Sequence, residues 1–367
     1  MLVGTMSTSW PDRRILDLLA IELPILQAPM AGSALGDLAV AVSAAGGLGA
    51  LACASLSPDR IREEVSSIRQ RAPGPLNLNF FSHPTPQSDS QREASWRSRL
   101  AASGAALGVE PAGSSGPGGR APFDATACAL VEELLPEVVS FHFGLPSSDL
   151  LERVQATGAR ILSTATTVAE ARWLEDHGCD AIIAQGIEAG GHRGMFLTTD
   201  LNTQSGTMAL LPAVVDVVSV PVIAAGGIAD ARGIAAALGL GAAAVQLGTA
   251  YLRCPEAASS PLHRAALREA ANRTTALTNV FTGRPARGLV NRLMLELGPI
   301  ACDIPEFPLP AVMLAPLRAK AESMGLEDFS PLWAGQAAAM ATEIPAAELT
   351  RLMAAAALEI SQASVMA

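Results

Sequence analysis

The sequence is poor in aromatic and charged residues. It has only four Trp and one Tyr, charged residues make up 16% of its 367 residues, and the net charge is −10 with no block of Lys or Arg. Proteins that bind nucleic acid usually combine clustered basic residues with aromatic side chains that stack on bases. The composition therefore argues against a nucleic-acid partner.

Long apolar runs are also absent from the sequence. Gly or Pro interrupts each apolar segment before it reaches the roughly 18 residues that a membrane span requires. Residues 1–11 lack the charged and then apolar pattern of a signal peptide. We therefore expect a cytoplasmic protein that does not bind a membrane.

The five cysteines are odd in number and lie far apart, with no C-x-x-C pair. This arrangement is typical neither of a disulfide framework nor of a zinc site, so we expect buried free thiols and no metal. Half of the residues are hydrophobic, which is enough to bury a large core. The length fits one barrel-sized domain with an appendage.

Short apolar runs alternate with Ala- and Leu-rich helical stretches from Ile25 to Leu252. The predicted strands are residues 25–30, 49–52, 76–81, 138–143, 160–166, 181–185, 221–225 and 243–248. The helical stretches between them include residues 36–45, 58–71, 168–177, 208–218 and 230–238. Helical crossovers make neighbouring strands parallel, so this pattern predicts an α/β fold, a closed (β/α)8 TIM barrel. An open doubly wound sheet is the alternative.

Two parts of the chain interrupt this alternation. Residues 84–121 form an insertion after the third strand, with a short helix predicted over residues 91–102. Beyond Pro255 we predict only helices, each with a proline near its first turn, over residues 261–270, 316–324, 331–341 and 345–360. We expect a barrel over residues 12–255 and a mainly helical extension over residues 256–367. The extension is either a lid over the barrel mouth or a passive packing element.

A glycine-rich loop at residues 185–194 carries His192 directly after the apolar run 181–184. Catalytic groups of barrel enzymes follow strand ends, and an imidazole titrates near neutral pH. His192 is therefore the candidate catalytic residue. For the loop alone, a surface turn is an equally simple interpretation.

The loops after the seventh and eighth predicted strands are suited to binding a phosphate. Gly226 and Gly227 follow the seventh strand, and Gly248 and Thr249 end the eighth. Glycine amides can approach a phosphate closely, and the Thr249 hydroxyl adds a donor. We therefore expect these two loops to bind one phosphate monoester.

Other strand ends offer side chains for a planar ring. Met30 provides a soft surface, while Asn79 and Gln185 carry amides that can both donate to and accept from a pyrimidine edge. Either amide alone would be explained as a strand-end cap, but their convergence favours a ring site. His142, at the fourth strand end, is a candidate for the pocket wall, with a core-facing role as the alternative. His177 is interpreted as structural, and His263 has no predicted role.

Six sequence motifs, each of five to eight residues, occur together in this chain. They are Ala-Pro-Met-Ala-Gly at 28–32, Ala-Gly-Gly-Leu-Gly at 45–49, Asn-Leu-Asn-Phe-Phe at 77–81, Gln-Gly-Ile-Glu-Ala-Gly-Gly-His at 185–192, Ala-Ala-Gly-Gly-Ile at 224–228 and Phe-Thr-Gly-Arg-Pro-Ala-Arg at 281–287. Together they resemble the nitronate monooxygenases, also called 2-nitropropane dioxygenases, over residues 20–300. The resemblance implies a TIM barrel with non-covalent FMN that oxidises alkyl nitronates with O2 and needs no reduced nicotinamide.

The resemblance also implies roles for individual residues. The family's catalytic histidine falls on His192, its FMN-binding asparagine on Asn79, and the glutamine and glycine before the histidine on Gln185 and Gly190. The phosphate-binding groups fall on Gly227 and on Gln246, Leu247, Gly248 and Thr249. A neutral nitroalkane needs a base to remove its α-proton, which an imidazole can provide. A nitronate is already anionic, so a protonated His192 is an alternative that would hold its oxygens.

Three other interpretations remain open. A flavin-dependent enoyl reductase of the same barrel superfamily shares the Ala-Gly-Gly-His loop but needs NAD(P)H. Residues 79–81 and 281–287 favour the monooxygenase. An IMP-dehydrogenase-like barrel would need Cys254 as nucleophile, and the sequence shows no partner base for it. A flavin-binding or phosphate-binding module without catalysis would keep the glycine loops but tolerate loss of His192. The preferred nitronate and the oligomeric state are not predicted.

Overall fold

A computed structural model describes Trp10, residues 12–113 and residues 120–366. Most of the N-terminal segment considered above, residues 1–9 and Pro11, lies outside the described residues. Residues 114–119 of the predicted insertion also lie outside them. Among the described residues, no helix is both long and apolar enough to cross a bilayer.

Eight parallel strands form the central sheet, in the order β1-β9-β8-β6-β5-β4-β3-β2. They are β1 (Ile25–Gln27), β2 (Gly49–Ala52), β3 (Leu76–Phe81), β4 (Val138–His142), β5 (Arg160–Ala165), β6 (Ala181–Gln185), β8 (Val222–Ala225) and β9 (Ala244–Leu247). A parallel bridge between Leu26 and Leu48 brings the first strand back to the second, and Gln27 N donates to Leu48 O at 2.9 Å. The predicted TIM barrel is confirmed.

Helices surround the barrel and extend beyond it. They are α1 (Arg14–Leu19), α2 (Gly36–Ala44), α3 (Pro58–Arg71), α4 (Ser90–Leu107), α5 (Ala125–Leu134), α6 (Ser148–Ala156), α7 (Val168–Asp176), α8 (Thr207–Val215), α9 (Ala231–Gly239), α10 (Pro261–Arg268), α11 (Arg292–Leu297), α12 (Leu309–Ser323) and α13 (Ala346–Met366). Capping residues in the sequence mark where helices begin. At the start of α3 the Ser57 hydroxyl accepts from Arg60 N at 3.2 Å, and Pro58 occupies the first turn. Helices cover the outside of the strands, so side chains on both strand faces are buried.

A second sheet lies at the barrel mouth. It is antiparallel and consists of β7 (Gly191–His192), β10 (Thr275–Thr278) and β11 (Ala286–Leu289), with β11 in the centre. The sequence predicted only helices beyond Pro255, so β10 and β11 are a correction. Each has only four residues, which is too short for a clear alternation of apolar and polar side chains. Through this sheet the loop that carries His192 is joined to the C-terminal region.

The predicted helix at residues 331–341 is also wrong. This segment forms a bridge between Trp333 and Gly288 and has only a short 3-10 turn at Ala338–Met340. Its amides bond to other segments: Gln336 N donates to Glu188 O at 2.9 Å, and Ala334 N to Arg287 O at 3.3 Å. An α-helix would have used these groups internally.

Candidate active site

A cavity of about 450 Å³ lies at the carboxyl ends of the barrel strands. Its wall includes these predicted site residues: Met30, Asn79, His142, Gln185, Gly190, His192, Gly226, Gly227, Gln246, Gly248 and Thr249. Leu247 is the exception, since its side chain is fully buried in the hydrophobic core. Side chains alternate along a strand, so Gln246 faces the cavity while Leu247 faces away from it. Cofactor binding by Leu247 through its backbone stays a prediction.

Aromatic rings surround the imidazole of His192. Ring centroids lie 6.2 Å away for Phe81, 6.0 Å for Phe143, 5.4 Å for Phe307 and 5.5 Å for Trp333. Phe81 and Phe143 come from the ends of barrel strands, whereas the other two come from the C-terminal region. The imidazole is thus held in an apolar setting that two distant parts of the chain complete.

His192 is neutral at physiological pH. Burial lowers its pKa well below 6.5, and the nearby positive charges of Arg120 and Arg284 act in the same direction. The protonated form considered from the sequence is therefore disfavoured. Thr282 Oγ1 lies 2.9 Å from His192 Nε2 and donates to Arg284 O at 3.4 Å. A hydroxyl that donates to Arg284 O accepts from Nε2–H, and in this tautomer of His192 Nδ1 is the basic nitrogen.

Gln185 holds the histidine loop in place. Its Nε2 donates to His192 O at 3.0 Å, and its Oε1 accepts from Gly194 N at 2.9 Å. The amide that the sequence assigned to a ring edge is therefore largely occupied by the protein. One Nε2 hydrogen is left for a ligand, so cofactor binding by Gln185 stays a prediction.

Arg193 is a second support of this loop and was not predicted. Its side chain is fully buried, and its guanidinium donates to Gly186 O and Gln185 O, both at 2.6 Å, and to Gln204 Oε1 at 3.0 Å. Nothing in the sequence distinguishes this arginine from a surface residue. Its bonds fix the backbone between β6 and His192.

His142 lines the cavity and also supports the histidine loop. Its Nε2 lies 3.2 Å from His192 O and its Nδ1 lies 3.2 Å from Thr164 Oγ1. A carbonyl oxygen can only accept, so Nε2 carries the proton and Nδ1 accepts from the threonine. Burial, reinforced by the charges of Arg284 and Arg193, lowers the pKa of His142 to about 4. His142 is therefore a neutral wall residue.

Polar groups converge on the cavity from β3 and β9. Asn79 Nδ2 donates to Ser140 Oγ at 2.9 Å and is thereby held at the end of its strand. Gln246 Oε1 is buried and has no hydrogen-bond partner within the described part of the chain. A buried acceptor without a donor is costly. Met30 lies beside Gly248, where an added Cβ would stand 3.6 Å from the methionine sulfur. The arrangement suits a flat ligand with polar edges.

The loops after β8 and β9 form the other end of the cavity. Gly226 has φ 110° and Gly227 φ 73°, values that favour glycine. Thr249 Oγ1 accepts from Gly335 N at 2.9 Å, so its hydroxyl hydrogen remains available to a ligand. Asp230 caps α9 by accepting from the amides of the first turn. An anion here would therefore be held by loop amides and Thr249 more than by the helix terminus.

The C-terminal region closes one side of the cavity. At Gly190 an added Cβ would stand only 2.5 Å from Gly335 N, so the two backbones touch. His263 also reaches the cavity wall, with Nε2 3.1 Å from Trp333 O, and burial lowers its pKa to about 4. No sequence signal identified this contribution, because these residues lie far along the chain from the glycine loops.

The model of the nitronate monooxygenase family matches residues 12–355. The chain belongs to the nitronate monooxygenase family. It is 42% identical to a nitronate monooxygenase from Pseudomonas aeruginosa over 352 residues, which covers 93% of this chain and 97% of that relative. A nitronate monooxygenase from Paraburkholderia phytofirmans is also 42% identical, over 92% of this chain and 93% of its own length. This member of the family is thus an oxidoreductase.

Solved structures show the same relationship. The nitroalkane oxidase from Streptomyces ansochromogenes matches this nitronate monooxygenase family member with a TM-score of 0.86 and 38% identity, over 96% of this chain and 100% of that chain. FabK from Thermotoga maritima matches with a TM-score of 0.74 and 28% identity, over 98% of this chain and 99% of that chain.

The IMP-dehydrogenase-like interpretation needs Cys254 as nucleophile. Cys254 is buried, and burial raises the pKa of its thiol to about 12, so the thiol is unsuited to that role.

Proposed function

We propose that this family member binds FMN in the cavity and oxidises alkyl nitronates with O2, and that it also accepts neutral nitroalkanes through His192 as base. The observation that carries the proposal is the neutral imidazole in its aromatic surround, at the wall of a cavity with polar edges. The names of the relatives support the substrate class. We place the reaction in the cytoplasm, with a small nitronate and O2 as the partners.

The residues fit FMN at both ends of the cavity. The unpaired Oε1 of Gln246 is an acceptor for a ring or ribityl donor, and Met30 provides the surface on which a ring can lie. The glycine loops and the Thr249 hydroxyl would hold the phosphate. A bound flavin would supply the acceptor that takes electrons from the nitronate and passes them to O2.

The protein's own part in the reaction is to position the substrate, exclude water and move one proton. With a nitroalkane, His192 Nδ1 takes the α-proton, which the low pKa permits because the nitrogen is unprotonated at neutral pH. With a nitronate no proton has to be removed. The rings of Phe81, Phe307 and Trp333 keep water from the imidazole. Nitroalkane turnover should therefore depend on His192 more than nitronate turnover does.

The proposal is tested with the purified protein by a visible spectrum and by O2 consumption with propyl 1-nitronate, with and without NADH. We expect a flavin spectrum and O2 uptake that does not need NADH. His192→Asn should keep its FMN but lose about 100- to 10,000-fold in kcat/KM for 1-nitropropane. His177→Asn, on the exposed outer face of α7, is the control. A colourless protein that FMN does not reconstitute would refute the proposal.

NADH-dependent enoyl reduction is the second candidate, because the similarity to FabK extends over nearly the whole chain. NADH-driven reduction of an enoyl thioester, together with no O2 uptake on nitronate alone, would favour it. A His192→Asn variant that keeps its full cofactor but shows no turnover would exclude a flavin-binding module without catalysis.

A further inference from the structure

One half-buried arginine in the cavity wall has a buried nitrogen without a partner among the described residues. Arg120 lies at the end of the insertion that follows β3 and lines the cavity. Its Nη1 is buried and has no hydrogen-bond acceptor among the residues that the structure describes. Burial and the charge of Arg318 lower the pKa of Arg120 to about 10, so the guanidinium is still charged at neutral pH.

The other buried arginines near His192 are engaged with the protein. Arg193 donates to two carbonyl oxygens and one amide oxygen. Arg284 donates to Met195 O at 3.0 Å, and its guanidinium lies 4.2 Å from the Phe143 ring centroid. Arg287 donates to Ile187 O at 2.9 Å. Of these four arginines, only Arg120 lines the cavity, and its Nη1 has no acceptor within the described part of the chain.

A charged guanidinium nitrogen that is buried without an acceptor among the described residues is unfavourable, and a neutral ligand would offset less of its cost than an anion. A nitronate carries one negative charge shared between two oxygens. A guanidinium presents parallel N–H groups that match such a pair of oxygens. Arg120 and His192 line the same cavity, and the charge of Arg120 lowers the pKa of His192.

We propose that Arg120 binds the two oxygens of the substrate's nitronate group and makes the anionic form the preferred substrate over the neutral nitroalkane. The inference rests on the proposed function and adds a specificity-determining residue to it. No bond is made or broken by Arg120.

The first test compares Arg120→Gln with Arg120→Lys. Arg120→Gln should raise KM for propyl 1-nitronate about 10- to 100-fold, because a hydrogen bond to a charged group is lost. KM for 1-nitropropane should change less. Arg120→Lys keeps the charge but not the paired N–H groups, so it should recover only part of the affinity. Arg153→Gln, on the exposed face of α6, gives the same change in net charge and is the matched control.

The second readout is the pH profile of nitroalkane turnover. The charged and titratable groups that face His192 are Arg120, His142, Arg284 and His83, and all of them lower its pKa. Removing the Arg120 charge should raise the pKa of His192, so the acid limb of kcat/KM for 1-nitropropane should move to higher pH in Arg120→Gln. Arg120→Lys should leave that limb in place. A purely structural role of Arg120 would not separate the two variants in this way.

Anaerobic calorimetry of propyl 1-nitronate binding separates the inference from the function. If the wild type binds the anion but consumes no O2, the proposed function fails while the role of Arg120 stands. If the wild type consumes O2 and Arg120→Gln keeps both its affinity and its pH profile, only the inference fails. Loss of bound FMN from both Arg120 variants would assign the residue to the cofactor and overturn the inference. If Arg120→Gln does not fold, Arg120→Lys decides: unchanged nitronate affinity overturns the inference.

Discussion

The hydroxyl of Thr282 is the hydrogen-bond partner of the imidazole of His192, the proposed base. In the tautomer that the proposal uses, this hydroxyl accepts from His192 Nε2–H. In Thr282→Val the side chain keeps its shape but loses this bond. We expect kcat for 1-nitropropane to fall about 10-fold, as for loss of one hydrogen bond of about 1.4 kcal/mol, with an unchanged visible spectrum.

The measurement is O2 consumption under saturating nitroalkane, with the exposed Thr203→Val as control. Propyl 1-nitronate should respond less, because no α-proton is removed from it. An equal loss with both substrates would mean that Thr282 acts on the fold or the cofactor and not on the imidazole.

Single residues were predictable from the sequence where they lie near the carboxyl end of a barrel strand or in the loop that follows it. Asn79 lies near the end of β3, and His192 and the glycines after β8 and β9 lie in such loops, which meet at one barrel mouth. Arg120, Thr282 and Phe307 come from the insertion and the C-terminal region. Their proximity to His192 depends on tertiary packing, which no local pattern encodes.

At the scale of elements, buried polar groups hold the loop between β6 and β7. Arg193 donates to Gln185 O and Gly186 O, where the loop leaves β6, and to Gln204 Oε1 outside the loop. In Arg193→Met these acceptors would be buried without donors, so we expect at least about 3 kcal/mol loss in the free energy of unfolding. Urea denaturation followed by far-UV circular dichroism measures this loss.

The matched control is Arg153→Met, whose pair with Glu132 is exposed to solvent. Its denaturation midpoint should equal that of the wild type. A wild-type midpoint in Arg193→Met would show that the loop does not need the buried guanidinium.

The barrel strands were predictable as elements because each is a short apolar run between helices, and the predicted bounds differ from the observed ones by at most a few residues at either end. The second sheet was not. Its strands β7, β10 and β11 are short and pair across a long separation in sequence, for example Ala286 with His192. Proline near the first turn misled the assignment of residues 331–341, because Pro331 precedes a bridged segment there.

For the whole molecule, buried neutral histidines predict sensitivity to acid. Burial lowers the pKa of His83, His142 and His263 to about 4 each, whereas an unfolded chain would have values near 6.5. The unfolded state therefore binds more protons between these limits, and stability is lost as pH falls from about 6.5 toward 4. Each such histidine contributes about 1.4 kcal/mol per pH unit in that window.

His83 isolates this effect. Both of its ring nitrogens lack hydrogen-bond partners among residues 12–113 and 120–366, and its neighbours are the rings of Phe81, Phe143 and Phe307. His83→Phe should flatten the dependence of unfolding free energy on pH between 6 and 4.5. Urea denaturation at several pH values measures the slope, with His177→Phe as the exposed control. An unchanged slope in His83→Phe would contradict this account.

The pairing of β7 with β11 has a consequence for the order in which the enzyme is made. Ribosomes deliver the chain from its N-terminus, so all eight barrel strands emerge before the segments that flank the imidazole on its other side. The barrel can therefore assemble before the C-terminal residues that flank His192 have been made. The wall around the imidazole is complete only when residues 275–336 have been translated and have docked on the barrel.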